Sequence, residues 1–501
     1  MFNSSEQLIL GFTIIIYFIF LLLMSVYIQR KIKTYDDYNM ASRTVTLWPL
    51  ILTFVSTGVG GATLLGYMEN GYTLGMGQQW IHITMMAAVI VLAFFLLKRI
   101  RLLGEKHNMV TIGDYTALRY GESARIPTVI SFLFAYCAMT GMQFVAIASI
   151  LNLTIGLNMT AGIIIGCILL TIKTYLGGLK AVIWQDVVQG TMLTIGIIVL
   201  FFVVIFYSGN WSEIKANASS QNQNDMLNFL NITPNEILIY LLTLAFYQFI
   251  RQDVWQRIWA AKDLKTARNG YGLSMIIAVA LGAMTVFIGV YAKFGLNLDI
   301  AETPLVYYNV IQNVFPFPLV LVMIIILLAA VISSADSFFI AGSSSIANDI
   351  IKPNVKSDNQ NKMLLYSKLS VLIVAVISLV LALMIPGLVD LMVTGTAMSV
   401  SGLLVPVMFG LFWKKPTKLA GNIAMWSGLG SAVIWQILGH PFGLHPILIG
   451  LPLSIIMLLL VTFFGKKRLR NSLSKQFTKN FIKKITKSHS SYLMSEIFII
   501  S

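Results

Sequence analysis

The chain has 501 residues, 57% of them apolar and only 11% charged, whereas about a quarter of the residues in ordinary soluble proteins are charged. This composition excludes a soluble enzyme, a secreted disulfide scaffold and a disordered protein, and its apolar runs of about 20 residues predict a protein that crosses the membrane many times. The net charge of +15 does not indicate nucleic acid binding, because nine of the 35 basic residues lie between Lys466 and Lys487 without any acidic residue, a pattern typical of a cytoplasmic tail on anionic lipid.

Thirteen apolar stretches predict thirteen membrane helices, because a helix needs about 20 apolar residues to cross about 30 Å of hydrocarbon. We number these stretches as spans one to thirteen. They cover residues 8–28, 46–68, 78–98, 125–152, 157–175, 186–208, 235–256, 270–293, 316–347, 363–384, 386–412, 417–438 and 445–465.

Positive charges between the spans predict the orientation of the chain. Every second loop, beginning with the first, carries Lys or Arg, whereas the other loops hold only Lys215 and Lys293. Because Lys and Arg are retained on the cytoplasmic side, we predict a multi-pass plasma membrane protein. Its N-terminus would lie outside and its C-terminus in the cytoplasm.

Span two carries three glycines within four residues. Gly58, Gly60 and Gly61 follow Ser56 and Thr57, and each glycine costs a helix about 1 kcal/mol relative to alanine. A break at this depth would release backbone carbonyls, which is tolerable only where they line a cavity or bind a cation. Alternatively, the glycines form a small-residue face against which another helix packs.

Span nine carries hydroxyl groups after a purely aliphatic approach. Ala330, Ser333, Ser334 and Ser337 follow the i, i+3, i+4, i+7 spacing of one helical face. Hydroxyl and carbonyl oxygens are the ligands of a hard cation such as Na⁺, although hydrogen bonding between helices also explains buried serines. Asp336 favours a functional site, because a carboxylate in the membrane is costly unless it is compensated.

Other polar residues in the spans allow two interpretations each. Asp186 opens span six, where it is either an acid stabilised by the helix dipole or a functional group. Arg251 and Asp253 lie near the end of span seven in a stretch too polar to face lipid, and an ion pair there suits Arg257 and Asp253 better. His82, in span three, is by itself more often a core residue than a ligand.

These motifs together resemble the sodium:solute symporter family. The resemblance rests on the glycine-rich second span and on segments GGLKAVIWQD (177–186), QRIWAAKDLKTA (256–267) and AAVISSADS (329–337), in this order. It implies an all-α polytopic membrane protein whose spans two to six and seven to eleven form inverted repeats of the leucine-transporter type, with solute bound midway across the membrane. The implied parts are a first helix and loop over 1–45, repeats over 46–208 and 235–412, two extra helices over 413–465 and a basic tail over 466–501.

The same resemblance implies the ligands of the coupling ion Na⁺. The main site would use the backbone carbonyls of Ser56, Val59 and Ala330 and the hydroxyls of Ser333 and Ser334. A second Na⁺ would use the side chains of Asp186, Asp336 and Ser337, with Ser333 shared.

The solute is predicted from departures from the family pattern. Arg251 stands where sugar-transporting relatives place an amide, and His82 matches their acidic sugar contact. Because a guanidinium binds a carboxylate through two parallel hydrogen bonds, we predict a carboxylate-bearing organic anion or amino acid-like solute held by Arg251, with Gln248, Tyr247 and His82 as further candidates. Alternatively, Arg251 pairs with Asp253 or Asp186 and the solute is neutral.

The predicted function is Na⁺-coupled import by alternating access, without enzymatic activity. The expected partners are the small-molecule solute, Na⁺ and the lipid bilayer, with no nucleic acid and no obligate protein partner. The alternatives are a membrane sensor or scaffold of the same fold that has lost transport, and a symporter for a neutral sugar or for choline.

Overall fold

The structure is a computed structural model that describes residues 2–355, 359–384 and 388–464, and within this part of the chain it is helical. The only β-type pairing among these residues is an isolated parallel bridge between Val45 and Ala261. The predicted basic tail (466–501) and the start of span eleven lie outside the described residues. The helices are α1 Ser4–Gln29, α2 Tyr35–Met40, α3 Leu47–Gly58, α4 Tyr67–Leu74, α5 Trp80–Val91, α6 Leu97–His107, α7 Ile112–Tyr120, α8 Arg125–Ile155, α9 Met159–Tyr207, α10 Trp211–Ser220, α11 Pro234–Tyr240, α12 Gln252–Ala260, α13 Leu264–Phe294, α14 Val306–Val314, α15 Phe317–Ser345, α16 Lys352–Val355, α17 Gln360–Met384, α18 Leu388–Phe412, α19 Lys418–Ile437 and α20 Ile447–Phe464.

The helices agree in position with the predicted spans. Within the described ranges, ten helices are long and apolar enough to cross a membrane, or up to eleven if one bent pair forms a single span. That count treats α9 as a single span. Its 49 residues would be about 74 Å long as one straight helix, more than twice the hydrocarbon thickness of about 30 Å. It omits α19, which lies at predicted span twelve. The number thirteen therefore stays a prediction.

A glycine interrupts α9 between predicted spans five and six. Gly178 has φ +55° and ψ −168°, a conformation that costs glycine little and other residues much. A Cβ atom at this position would also lie 2.5 Å from the ring of Tyr38. Helical structure resumes directly after this residue, so Asp186 lies eight residues inside the second half of α9 and not at a helix start as predicted.

Spans two and seven are both broken helices. The axes of α3 and of the helix Thr63–Leu74 differ by 56°, and Val59 between them has φ −112° and ψ 79°. In span seven, Arg251 has extended backbone (φ −66°, ψ 113°) between a 3₁₀ turn and α12. Backbone groups at such breaks lose their helical partners and become available to ligands or side chains.

Helix α15 forms the centre of the bundle. Its residues from Ile326 to Ser345 are all buried, and it packs against α8, α9 and α17. In contrast, α1 exposes large apolar side chains such as Leu8 and Phe12. Such a surface is what a helix presents to lipid.

Main-chain and ionic contacts join the segments at one end of the bundle. The Val45 amide donates to the Ala260 carbonyl (3.1 Å), and the Lys262 amide donates to the Val45 carbonyl (2.9 Å). Nearby in the predicted cytoplasmic layer, Arg125 Nη1 lies 2.7 Å from Asp349 Oδ1 and also contacts the Asp114 carboxylate, while Arg125 Nε contacts the carboxylate of Glu122. By the predicted orientation, this is the cytoplasmic end.

Candidate functional site

The break in span two meets the hydroxyl face of α15. Ser333 Oγ donates to the carbonyl oxygens of Ser56 (3.0 Å) and Ala330 (3.1 Å). Ser334 Oγ lies 3.4 Å from the Ser56 carbonyl oxygen and 3.2 Å from that of Thr57. The structure thus brings together four of the five residues predicted for the main Na⁺ site.

Val59, the fifth predicted residue, follows directly after α3 and is fully buried. A cation of the size of Ca²⁺ or Na⁺ holds its oxygen ligands at about 2.4 Å, which places neighbouring ligands roughly 3.4 Å apart. The oxygen separations of 3.0 to 3.4 Å between α15 and α3 fall close to this value. These separations are also those of ordinary hydrogen bonds, and the hydroxyl and carbonyl oxygens of the cluster are the ligand types that a hard cation takes.

The glycines of span two let the two helices approach. A Cβ atom on Gly60 would lie 2.5 Å from Ser334 Oγ, and one on Gly61 would lie 3.0 Å from a methyl carbon of Val331. Both interpretations of this motif, a helix break and a packing face, therefore apply. The glycines lie at the break in span two and also form the surface against which α15 packs.

The predicted second Na⁺ set is organised around Arg257. The guanidinium is 1% exposed and donates from Nη2 to Ser337 Oγ (2.6 Å) and to Thr57 Oγ1 (3.1 Å). Its Nε donates to Thr53 Oγ1 (3.0 Å), and its Nη2 lies 3.5 Å from Asp186 Oδ2. Thr53 Oγ1 in turn donates to the same carboxylate oxygen.

Asp336, the remaining member of that set, contacts α9. Its Oδ2 pairs with the ammonium group of Lys173, and its Oδ1 accepts a hydrogen bond of 2.9 Å from Thr174 Oγ1. All three side chains are buried. Asp336 thus pairs with Lys173, whereas Asp186 and Ser337 contact Arg257.

A cavity lies beside the oxygen cluster and shares Ser334 with it. Its lining includes three of the predicted solute contacts, Tyr247, Gln248 and Arg251. The other lining residues are Thr57, Gly58, Gly60, Thr63, Tyr67, Met85, Met139, Met142, Gln143, Leu244, Phe338 and Thr396.

Arg251 is paired with Asp253. Its Nε and Nη2 donate to the two carboxylate oxygens of Asp253 at 3.1 and 2.6 Å, and its Nη1 donates to Gln248 Oε1 (3.3 Å). The predicted pairing of Arg257 with the Asp253 carboxylate was wrong, because Arg257 reaches only the main-chain carbonyl of that residue (3.2 Å). Further N–H groups of the Arg251 guanidinium remain for a ligand in the cavity.

His82 lies behind the wall of the cavity. Its ring meets that of the lining residue Tyr67 edge to face, with centroids 5.1 Å apart, and its Nε2 packs against the Cα of Gly282. The ring is buried, and neither nitrogen has a hydrogen-bond partner among the described residues. His82 is therefore not a lining residue of the cavity, but it contacts the lining residue Tyr67.

Sequence reasoning missed several residues of the site. Gln143, whose Oε1 has no partner among the described side chains, lines the cavity and lies 3.2 Å from a Cβ placed on Gly61. Lys173 is one of the Lys and Arg residues on which the predicted orientation rests, and in the structure it is only 3% exposed. An amide and a lysine within long apolar stretches were the available signals.

Comparison with known proteins identifies the family. The sodium:solute symporter family matches over residues 38–430. The chain is 25% identical over 460 residues to a high-affinity proline transporter of Bacillus subtilis (88% of this chain, 95% of the relative). It is 25% identical over 484 residues to a sodium/pantothenate symporter of Haemophilus influenzae (93% and 98%).

Two solved structures share the fold. A Na⁺-coupled sialic acid symporter in a substrate-bound, outward-open state superposes with a TM-score of 0.75 at 21% identity, covering 91% of this chain and 97% of the symporter. A nucleobase-cation-symport-1 family transporter in a closed conformation gives 0.57 at 15% identity, covering 86% and 95%. The all-α polytopic fold is therefore that of Na⁺-coupled symporters.

Proposed function

Because this chain belongs to the sodium:solute symporter family, we propose that it imports a carboxylate-bearing solute together with Na⁺ by alternating access. The chain is a transporter and not an enzyme. An inward voltage of 100 mV contributes about 2.3 kcal/mol per Na⁺ before the concentration gradient is added.

One observation carries the Na⁺ part of the proposal. Two hydroxyls of α15 contact carbonyl oxygens released by the break in span two, and Ser334 belongs both to this cluster and to the cavity. A cation held there lies next to a bound solute, so each stabilises the other. Such coupling is reciprocal by thermodynamic necessity.

Charge and relatives support a carboxylate on the solute. Na⁺ at the cluster would be held by neutral oxygens and would lack a counter-charge, which a carboxylate in the adjoining cavity supplies. Arg251 lines that cavity. Proline and pantothenate, named for two relatives, both carry a carboxylate.

The surrounding side chains have separate roles in this proposal. Gln248 holds Arg251 in place, while Tyr247 faces the solute and His82 positions Tyr67. The proposal also includes the orientation predicted from loop charges, with the N-terminus outside, in the plasma membrane.

A neutral solute is the second candidate, because Asp253 already occupies two N–H groups of Arg251. The test is uptake into proteoliposomes of matched pairs, namely pantothenate with panthenol and sialic acid with its methyl ester, together with L-proline. We expect uptake of a carboxylate when external Na⁺ is present and not when K⁺ replaces it. Equal uptake in K⁺ without a pH gradient would refute Na⁺ coupling.

Variants separate the two solute classes. Arg251→Gln alone leaves Asp253 buried and unpaired, so the matched variant is the double substitution Arg251→Gln, Asp253→Asn. We expect both to weaken carboxylate binding at least tenfold and to reduce the preference over the neutral analogue. Full affinity in the double variant would show that the pair is structural and would favour the neutral solute.

A further inference from the structure

We propose that side chains of the protein permanently occupy its second cation position, so that a single Na⁺ accompanies each solute. This inference rests on the proposed function and deepens it. It concerns Asp186, Asp336 and Ser337, the residues that the family resemblance offered for a second Na⁺. In the structure, each of them is bound to a basic side chain.

Arg257 uses the oxygens that a second Na⁺ would need. Its Nη2 donates hydrogen bonds to the hydroxyls of Ser337 and Thr57, and its Nε donates one to the hydroxyl of Thr53. Nη2 also lies 3.5 Å from a carboxylate oxygen of Asp186. A guanidinium is always charged and has a fixed set of N–H directions. Because it is 1% exposed and bonded on several sides, it acts as a resident cation at this position.

One oxygen in this region remains without a partner. Asp186 Oδ1 accepts no hydrogen bond from the described residues. A hard cation takes about six oxygens, and the neighbouring hydroxyls that would complete the shell are already engaged with Arg257. The residues therefore do not fit a second Na⁺ while Arg257 is in place.

Lys173 holds the other carboxylate in the same way. Its ammonium group pairs with Asp336, which Thr174 also binds. This contact places Asp336 against the first half of α9, before the break at Gly178. A carboxylate neutralised within the fold contributes no attraction for an incoming ion.

The charges around the site balance without any ion. In the described part of the chain, the three acids at the core of the site each face one base. The pairs are Asp186 with Arg257, Asp253 with Arg251, and Asp336 with Lys173. One Na⁺ with one carboxylate-bearing solute keeps this balance, whereas a second Na⁺ would add an uncompensated charge in a low-dielectric region. It would also lie about one helical turn from the first ion, since Ser337 bonds the Ser333 carbonyl (3.0 Å).

The inference is tested by counting bound Na⁺ directly. Equilibrium binding of radioactive Na⁺ to the purified full chain, without solute, should saturate at one ion per protein with a Hill coefficient of about one. Arg257→Gln frees Asp186, Thr53, Thr57 and Ser337, so this variant should bind two. Arg268→Gln removes an exposed arginine outside the site and should still bind one.

Each outcome decides a different point. Two ions bound by the unaltered protein would overturn the inference while leaving Na⁺ coupling intact. One ion bound by a monodisperse Arg257→Gln protein would also overturn it, because Arg257 would then not fill the site. No binding by the unaltered protein would refute the proposed Na⁺ site itself, and with it the count of one. If Arg257→Gln fails to fold, the number of Na⁺ ions bound by the unaltered protein still tests the inference.

Discussion

Replacing Ser333 by alanine removes one oxygen from the proposed Na⁺ site with little other change. Ser333 Oγ bridges the carbonyls of Ser56 and Ala330, is fully buried and does not line the solute cavity. Water therefore cannot easily replace it. A polar contact to a charged group contributes about 1.5–3 kcal/mol, and about 1.4 kcal/mol is a factor of ten, so half-maximal uptake should need roughly 10- to 150-fold more Na⁺.

The assay is the initial rate of uptake in proteoliposomes as external Na⁺ is varied at saturating solute. Ser343→Ala is the matched control, because Ser343 is equally buried in α15 but bonds only the Ile340 carbonyl of its own helix. Ser334→Ala should weaken both Na⁺ and solute, since Ser334 also lines the cavity. If Ser333→Ala and Ser343→Ala gave the same Na⁺ dependence, the serines would be packing residues and the site assignment would fail.

Two further predictions concern packing and ion pairs. Gly60→Ala should raise the Na⁺ concentration needed for half-maximal uptake, as Ser333→Ala does, because the new Cβ atom would lie 2.5 Å from Ser334 Oγ. Gly272→Ala is the control: a Cβ atom there has no described atom within 4 Å, so this variant should behave like the unaltered protein in the same uptake assay. Arg125→Met leaves the buried Asp349 without its cation and should cost about 3–5 kcal/mol of stability, seen as a lower melting temperature of the purified protein. An unchanged melting temperature would show that hydrogen bonds from Asn348 and Thr111 are enough to stabilise the buried Asp349 carboxylate without Arg125.

Periodicity explains which features could be predicted from the sequence. The spans follow from the length of apolar runs, and the hydroxyl face of α15 follows from the helical spacing of Ser333, Ser334 and Ser337. The break in span two was one of two open alternatives, since glycines serve equally for breaking and for packing helices. The family resemblance, and not spacing, united these pieces into one site.

The ion pairs could not be predicted in the same way. Arg257 with Asp186, and Lys173 with Asp336, join residues far apart in the chain, and no spacing rule connects such positions. The break at Arg251 has neither glycine nor proline beside it. Asp253 binds Arg251 two residues before it and accepts a hydrogen bond from Tyr136, a contact between residues far apart in the chain that no local signal predicts.

The main-chain bridge between Val45 and the end of α12 has a consequence for genetics. It joins the entrance of span two to the exit of span seven through backbone atoms alone, in addition to the hydrogen bonds that the Arg257 side chain donates to Thr53 and Thr57. Lys262, whose amide completes the bridge, has a half-exposed side chain and should accept almost any residue in a mutational scan. Only substitution by proline, which lacks the amide hydrogen, should reduce function in such a scan. A sequence-tolerance map would thus score position 262 as dispensable although its amide is part of the bridge between the two helices.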